Sequence, residues 1–91
     1  MSKAQPSATL TASGAVGGKL GVYHGYVVTV TTATGAINIR NGSASGQIVD
    51  VIPAATAAGA SRSTTDGWQL DGGIYVEFAG GATGSVVVLH E

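Results

Sequence analysis

Ninety-one residues carry 44% hydrophobic but only 10% charged side chains, with four basic residues against five acidic and no cysteine. A chain this short makes one domain that buries about 60–65% of its unfolded surface, and without cysteine neither a disulfide nor a thiolate zinc site can reinforce the core. Lys3, Lys19, Arg40 and Arg62 are too scattered to form the cation cluster that nucleic acid requires, and no run approaches the ~20 apolar residues of a membrane helix.

Residues 1–18 are small, polar and rich in Gly, Ala, Ser and Thr, with Pro6 near the start. Such a segment has little to bury and reads as a flexible or extended N-terminal arm ahead of a domain over 19–91. Lys3 is followed by Ala-Gln-Pro-Ser and not by an apolar stretch, so a secretory leader is not expected. Ala8-Thr-Leu-Thr-Ala12 could add a short strand, including onto a neighbour's sheet. Lys19–Thr32 is a long β stretch in which Gly21 and Gly25 suggest a bulge or bend.

Ala36–Arg40 alternates with Ile37 and Ile39 on one face, Asn38 and Arg40 on the other. The turn-rich Asn41-Gly-Ser-Ala-Ser-Gly46 returns the chain into Gln47–Pro53, which makes this the clearest hairpin. Residues 54–63 read as a loop, because they offer no apolar stripe to hold a helix. Arg62–Leu70 is a further strand candidate. Asp71-Gly-Gly73 is a tight turn, Ile74–Ala79 a strand, Gly80–Gly84 a turn and Ser85–His90 the last strand. In 74–78 the inward set is Ile74, Val76 and Phe78. The final strand is apolar on both faces, so it is either central to two layers or pressed against a partner, and in so small a domain the partner is the expectation.

Six or seven short strands spaced by Gly-rich turns predict an all-β fold, a small antiparallel β-sandwich or jelly-roll-like barrel. Sheets usually guard their edges with Lys, Glu or Pro, so the scarcity of charge predicts that neighbouring subunits cover part of the surface.

No motif assembles a chemistry. Gly14-Ala-Val-Gly-Gly-Lys19 is one residue short of a phosphate-binding loop, and Leu20 stands where a hydroxyl should be. His24 and His90 have no spacing that groups them with Asp50, Asp66, Asp71 or Glu77 as metal ligands, and they read as interface or rim residues. Asp66-Gly67 and Asp71-Gly-Gly73 supply too few oxygens for calcium and are explained as turns. Asn41-Gly42-Ser43 matches a glycosylation acceptor but is more simply a turn. The serines lack a paired base. Neither catalysis nor a cofactor is therefore expected. Trp68 reads as a core or subunit-contact anchor. If 66–70 paired with 74–78, Trp68 and Tyr75 would share a surface able to stack on a sugar ring.

Gly25-Tyr-Val-Val-Thr-Val, Ile37-Asn-Ile-Arg-Asn-Gly, Val49-Asp-Val-Ile-Pro-Ala-Ala-Thr-Ala-Ala-Gly, Gly73-Ile-Tyr-Val-Glu-Phe and Gly84-Ser-Val-Val-Val-Leu together span roughly residues 20–90. Their pattern resembles small virion proteins of tailed bacteriophages. The resemblance implies a β-sandwich that decorates or cements a capsid, made in the bacterial cytoplasm and carried on the virion. Its partners would be the major capsid protein and further copies of itself, as a dimer or trimer, with neither nucleic acid nor membrane. From the strand reading, the expected contact residues are Leu10, Tyr23, Tyr26, Trp68, Tyr75, Val87 and Leu89. The alternative is a carbohydrate- or receptor-binding module of a head or tail fibre, with Trp68, Tyr75 and the Asp66–Gly73 turn as its ligand face. A tail or neck component is a third possibility.

Overall fold

In the computed structural model, which describes residues 7–16 and 21–90, eight strands form two antiparallel sheets. They are β1 (Ser7–Leu10), β2 (Gly14–Val16), β3 (Gly21–Ala33), β4 (Ile37–Asn41), β5 (Ile48–Ile52), β6 (Ser61–Leu70), β7 (Ile74–Phe78) and β8 (Thr83–His90), with one 3-10 turn at Ala79–Gly81. Sheet A has the order β1-β8-β3-β6 and sheet B the order β2-β7-β4-β5.

The pairs β1·β8, β2·β7, β3·β6 and β4·β5 trace one long antiparallel ribbon. Its strands lie alternately in the two sheets, and β8·β3 and β7·β4 close the wrap. That is the double-sheet jelly roll. The all-β sandwich expected from the strand pattern is the observed fold.

Strand chemistry explains the layers. Ile37, Ile39, Ile74 and Val76 of sheet B and Val28, Val86 and Val88 of sheet A point inward and are almost completely buried, joined by Val16, Ile52, Leu70, Tyr23 and Tyr26. Burying a Val or Ile side chain contributes about 1.5–3 kcal/mol, so this cluster is the principal source of stability. On the outer face of sheet B, Asn38, Arg40 and Glu77 alternate with this inward set, whereas the outer face of sheet A also carries Val27, Val87 and Leu89.

The β4–β5 hairpin forms where the Asn-Gly turn places it, with Ile37 opposite Ile52 and Ile39 opposite Asp50. Gly25 marks a bulge: the register of β3 shifts between Tyr23 and Gly25 against both neighbours. Its φ is 135°, and a Cβ there would meet the Arg62 carbonyl oxygen. Only glycine fits. The bulge lets Tyr23 and Tyr26, three apart, both face the core.

Two expectations change. Within the 1–18 segment, the described residues include β1 and β2, which pair with β8 and β7 of the same chain. Residues 1–6 and 17–18 of the expected arm lie outside the described residues. Strand β6 pairs with β3 and not with β7, so Trp68 lies opposite Tyr23. Asp66-Gly67 accordingly belongs to the irregular middle of β6 and is not a hairpin turn.

Candidate functional site

Three features of the surface follow from this arrangement. The first is a polar tie where β5 and β6 border the same side of the sandwich. Alternation along Ile48-Val-Asp-Val-Ile52 turns Asp50 toward the interior with Ile52, and Asp50 is buried there. The Tyr23 hydroxyl of sheet A donates to Asp50 Oδ2 of sheet B at 2.8 Å. Asp50 Oδ1 accepts from the Val51 N–H at 2.9 Å and lies 3.4 Å from the Arg62 guanidinium. The guanidinium in turn stands 5.8 Å from the centre of the Trp68 ring, which packs tilted on Tyr23 at 6.1 Å. Burial, then donation to the Asp50 carboxylate, pushes the Tyr23 phenol far above its ordinary range. Tyr23 is thus a neutral donor joining the two sheets and not a nucleophile or a base.

The second feature is the outer face of sheet B. Cross-strand rows there read Ala15–Tyr75–Arg40–Ile48 and Glu77–Asn38–Val51. Glu77 Oε1 accepts from Asn38 Nδ2 at 3.0 Å and from Arg40 Nε at 2.8 Å, and Arg40 also donates to the Gly46 carbonyl at 2.7 Å. These donors, Asn38 first and then Arg40, hold the Glu77 carboxyl below its usual value. A bulge in β5 puts Ile48 opposite Arg40, while Val51 faces outward by alternation; the two are exposed by 41% and 43% beside the Arg40–Glu77 ion pair.

The third is the outer face of sheet A, and it is unlike the second. Its rows are Thr9–Val87–Val27–Ser61 and Ser7–Leu89–Gly25–Ser63, followed by Thr29, whose hydroxyl bonds Ser85 Oγ at 2.9 Å. None of these residues is charged. Val27, Val87 and Leu89 are half-buried by their neighbours in the sheet, and Thr9, Thr29, Ser61 and Ser63 are exposed.

The expected contact residues separate accordingly. Tyr23 and Tyr26 are core residues with their rings turned inward, so they offer no contact surface; the bulge at Gly25 that buries both has no counterpart in simple alternation. Leu10 is half-buried against the core. Val87 and Leu89 lie together on the sheet A face, Tyr75 on the sheet B face, and Trp68 at the β6 edge with 38% exposure. Trp68 and Tyr75 stand on different sheets, so the shared sugar-stacking face expected of them does not form.

Asp50, Arg62 and the Arg40–Glu77 pair were not expected as organising residues. A lone carboxylate in phase with Ile52 on an apolar strand was the available signal for Asp50.

His24 is buried beside Gly67, whose missing Cβ leaves room for the imidazole, and His90 is half-buried opposite Tyr23. Among the described residues no three His, Asp or Glu gather in a metal-binding group, and no pocket opens. No family model, curated protein or solved structure matches the chain.

Proposed function

We propose that the chain is a non-enzymatic virion structural protein, a capsid decoration or cement protein that binds across major capsid subunits and stabilises the head. The observation that carries this reading is the outer face of sheet A, whose described rows Thr9–Val87–Val27–Ser61 and Leu89–Gly25–Ser63 carry no charge and so suit burial between copies of an oligomer seated across capsid subunits. Association through such a face needs little desolvation of charge and is driven by apolar burial at about 25 cal/mol per Å². A modest gain per copy becomes large when many linked contacts act on one shell. The jelly roll is an architecture that viral capsid proteins use, which supports the reading by analogy only, since lectins and cupins use it too.

A second reading, a carbohydrate- or receptor-binding module, is favoured by one observation. Trp68 is partly exposed beside Arg62, and an exposed indole stacks on sugar rings. With Tyr75 on the other sheet, Trp68 would have to act without it.

Gold-labelled antibody against the chain, applied to purified virions, tests both. Label at high density over the head supports decoration, and label confined to fibres supports the second reading. Absence of the chain from virions would overturn both.

A further inference from the structure

The surface also indicates what meets the sheet A face. We propose that the face formed by Thr9, Val27, Ser61 and Val87, with Leu89 beside them, is the two-fold interface of a homodimer, two copies stacking sheet A on sheet A. This deepens the assembly reading and names the partner of that face as a second copy of this chain.

The argument begins at the edges. A second copy could add by strand pairing only where a sheet edge offers free backbone groups. On β5 the Val51 N–H is taken by Asp50 Oδ1, the strand is bulged at 48–49 and Pro53 follows it. Beyond β6, the 54–60 loop occupies the edge of β3: Gly59 N–H donates to the Val28 carbonyl, Val28 N–H to Ala60, Ala55 N–H to Thr32 and Thr32 N–H to Thr56. Within β6 itself, the register breaks between Ser63 and Trp68. Strands β1 and β2, at the other side, are four and three residues long. Edge pairing is obstructed, which leaves the faces.

Of the two faces, that of sheet A is the self-complementary one. A two-fold interface brings each surface against its own copy, so any net charge on it meets the same charge. The rows Thr9–Val87–Val27–Ser61 and Ser7–Leu89–Gly25–Ser63 carry none. On sheet B, the same operation would press the Arg40–Glu77 pair against a second Arg40–Glu77 pair and desolvate four ions.

The size is adequate for a weak dimer. The molecule is a slab of 37 × 29 × 16 Å, so its sheets present broad faces. Three strands of about seven residues and the four of β1, at ~4.8 Å spacing and ~3.4 Å rise, give a flat footprint of roughly 400 Å². Two such faces bury roughly 800 Å², and more once side-chain relief is counted, against about 1,000 Å² for a specific interface, which places the contact among weak ones. The dimer is therefore concentration-dependent, with the sheets stacked ~10 Å apart as in any aligned sheet pair.

Sedimentation equilibrium of the full chain, from low to high micromolar concentration, tests this. Wild-type protein is expected to move from monomer to dimer. Thr9→Lys/Ser61→Lys adds charge at two exposed positions of the face and weakens the dimer at least about tenfold by like-charge contact, with an unchanged thermal melt. Val51→Lys, exposed on the opposite face, leaves association as in wild type. An equimolar mixture of Thr9→Lys/Ser61→Lys with Thr9→Glu/Ser61→Glu re-forms the dimer. A monomer at every concentration, a trimer, a Val51→Lys protein that dissociates as readily, or a mixture that stays monomeric would each overturn the proposal. A monomer that labels virion heads would remove the dimer and leave the assembly reading intact. A dimer absent from virions would do the reverse.

Discussion

Replacing Tyr23 by Phe isolates the buried hydrogen bond that joins the two sheets at Asp50. Phenylalanine keeps the ring in a site with 0% exposure and keeps its packing on Trp68. It deletes the hydroxyl that donates to Asp50 Oδ2 at 2.8 Å. A hydrogen bond to a charged group contributes about 1.5–3 kcal/mol, and an unsatisfied buried acceptor costs about the same. Asp50 is 7% exposed and would keep only the Val51 N–H and the looser Arg62 contact at 3.4 Å. The expected loss is about 2 kcal/mol at pH 7, or roughly 8–16 °C in Tm for a domain of this size. Urea unfolding followed by Trp68 fluorescence measures it. The pH dependence gives an independent check. The phenol is raised above its ordinary value of 10.0, so the unfolded chain releases this proton first as pH increases. The stability it contributes is therefore complete below about pH 10 and falls as pH rises beyond that. Tyr23→Phe should lose part of this alkaline decline. A variant within about 0.5 kcal/mol of wild type at neutral pH, with the alkaline limb unchanged, would refute the inter-sheet tie.

Other perturbations test separate parts of the fold. Gly25→Ala forces a Cβ toward the Arg62 carbonyl at a φ of 135° and should lower stability by about 3 kcal/mol or prevent folding, as read by soluble yield and circular dichroism. Glu77→Gln removes the carboxylate that Asn38 and Arg40 hold ionised. Because its folded pKa is depressed below 4.5, wild type loses this stability as pH falls through the folded value, and the variant should show a shallower acid limb in thermal melts. Ile39→Ala, at a site with no exposure, should cost about 2–5 kcal/mol in chemical denaturation with no change in the denaturant slope.

The local parts of this structure were readable from sequence, and the long-range parts were not. The β4–β5 hairpin follows from Ile37-Asn-Ile alternation and an Asn-Gly turn, both set by residues close in the chain. The inward set of β7, Ile74 and Val76, follows from period-two patterning alone. The partner of β6 did not follow, because Ser61–Leu70 is separated from β7 by a short turn that suggests a hairpin. The chain instead crosses to the other sheet there, and the pairing with β3 is made across some forty residues of sequence. Strand pairing in a jelly roll is a property of the whole ribbon, which no window of five residues contains. The contact expectation at Tyr23 and Tyr26 missed a different consequence: the bulge at Gly25 turns both side chains, three apart, into the core.

The scarcity of charge takes on a narrower meaning once the edges are described. Low charge in a strand-rich chain predicts unguarded edges, yet here they are guarded by other means: short outer strands, a bulge and a proline on β5, a loop along β3, and an inward-facing carboxylate that takes an edge N–H. Asp50 therefore has two roles, since the oxygen that bonds Val51 N–H protects β5 while its other oxygen joins the sheets through Tyr23. With the edges closed in this way, what remains unguarded is a face, and the rows through Val27 and Val87 supply it. Edge-to-edge pairing of such chains can propagate without limit, whereas stacking of one face on a second copy is closed after two. A protein that must assemble in defined numbers, and not polymerise, gains from placing its uncharged surface on a face.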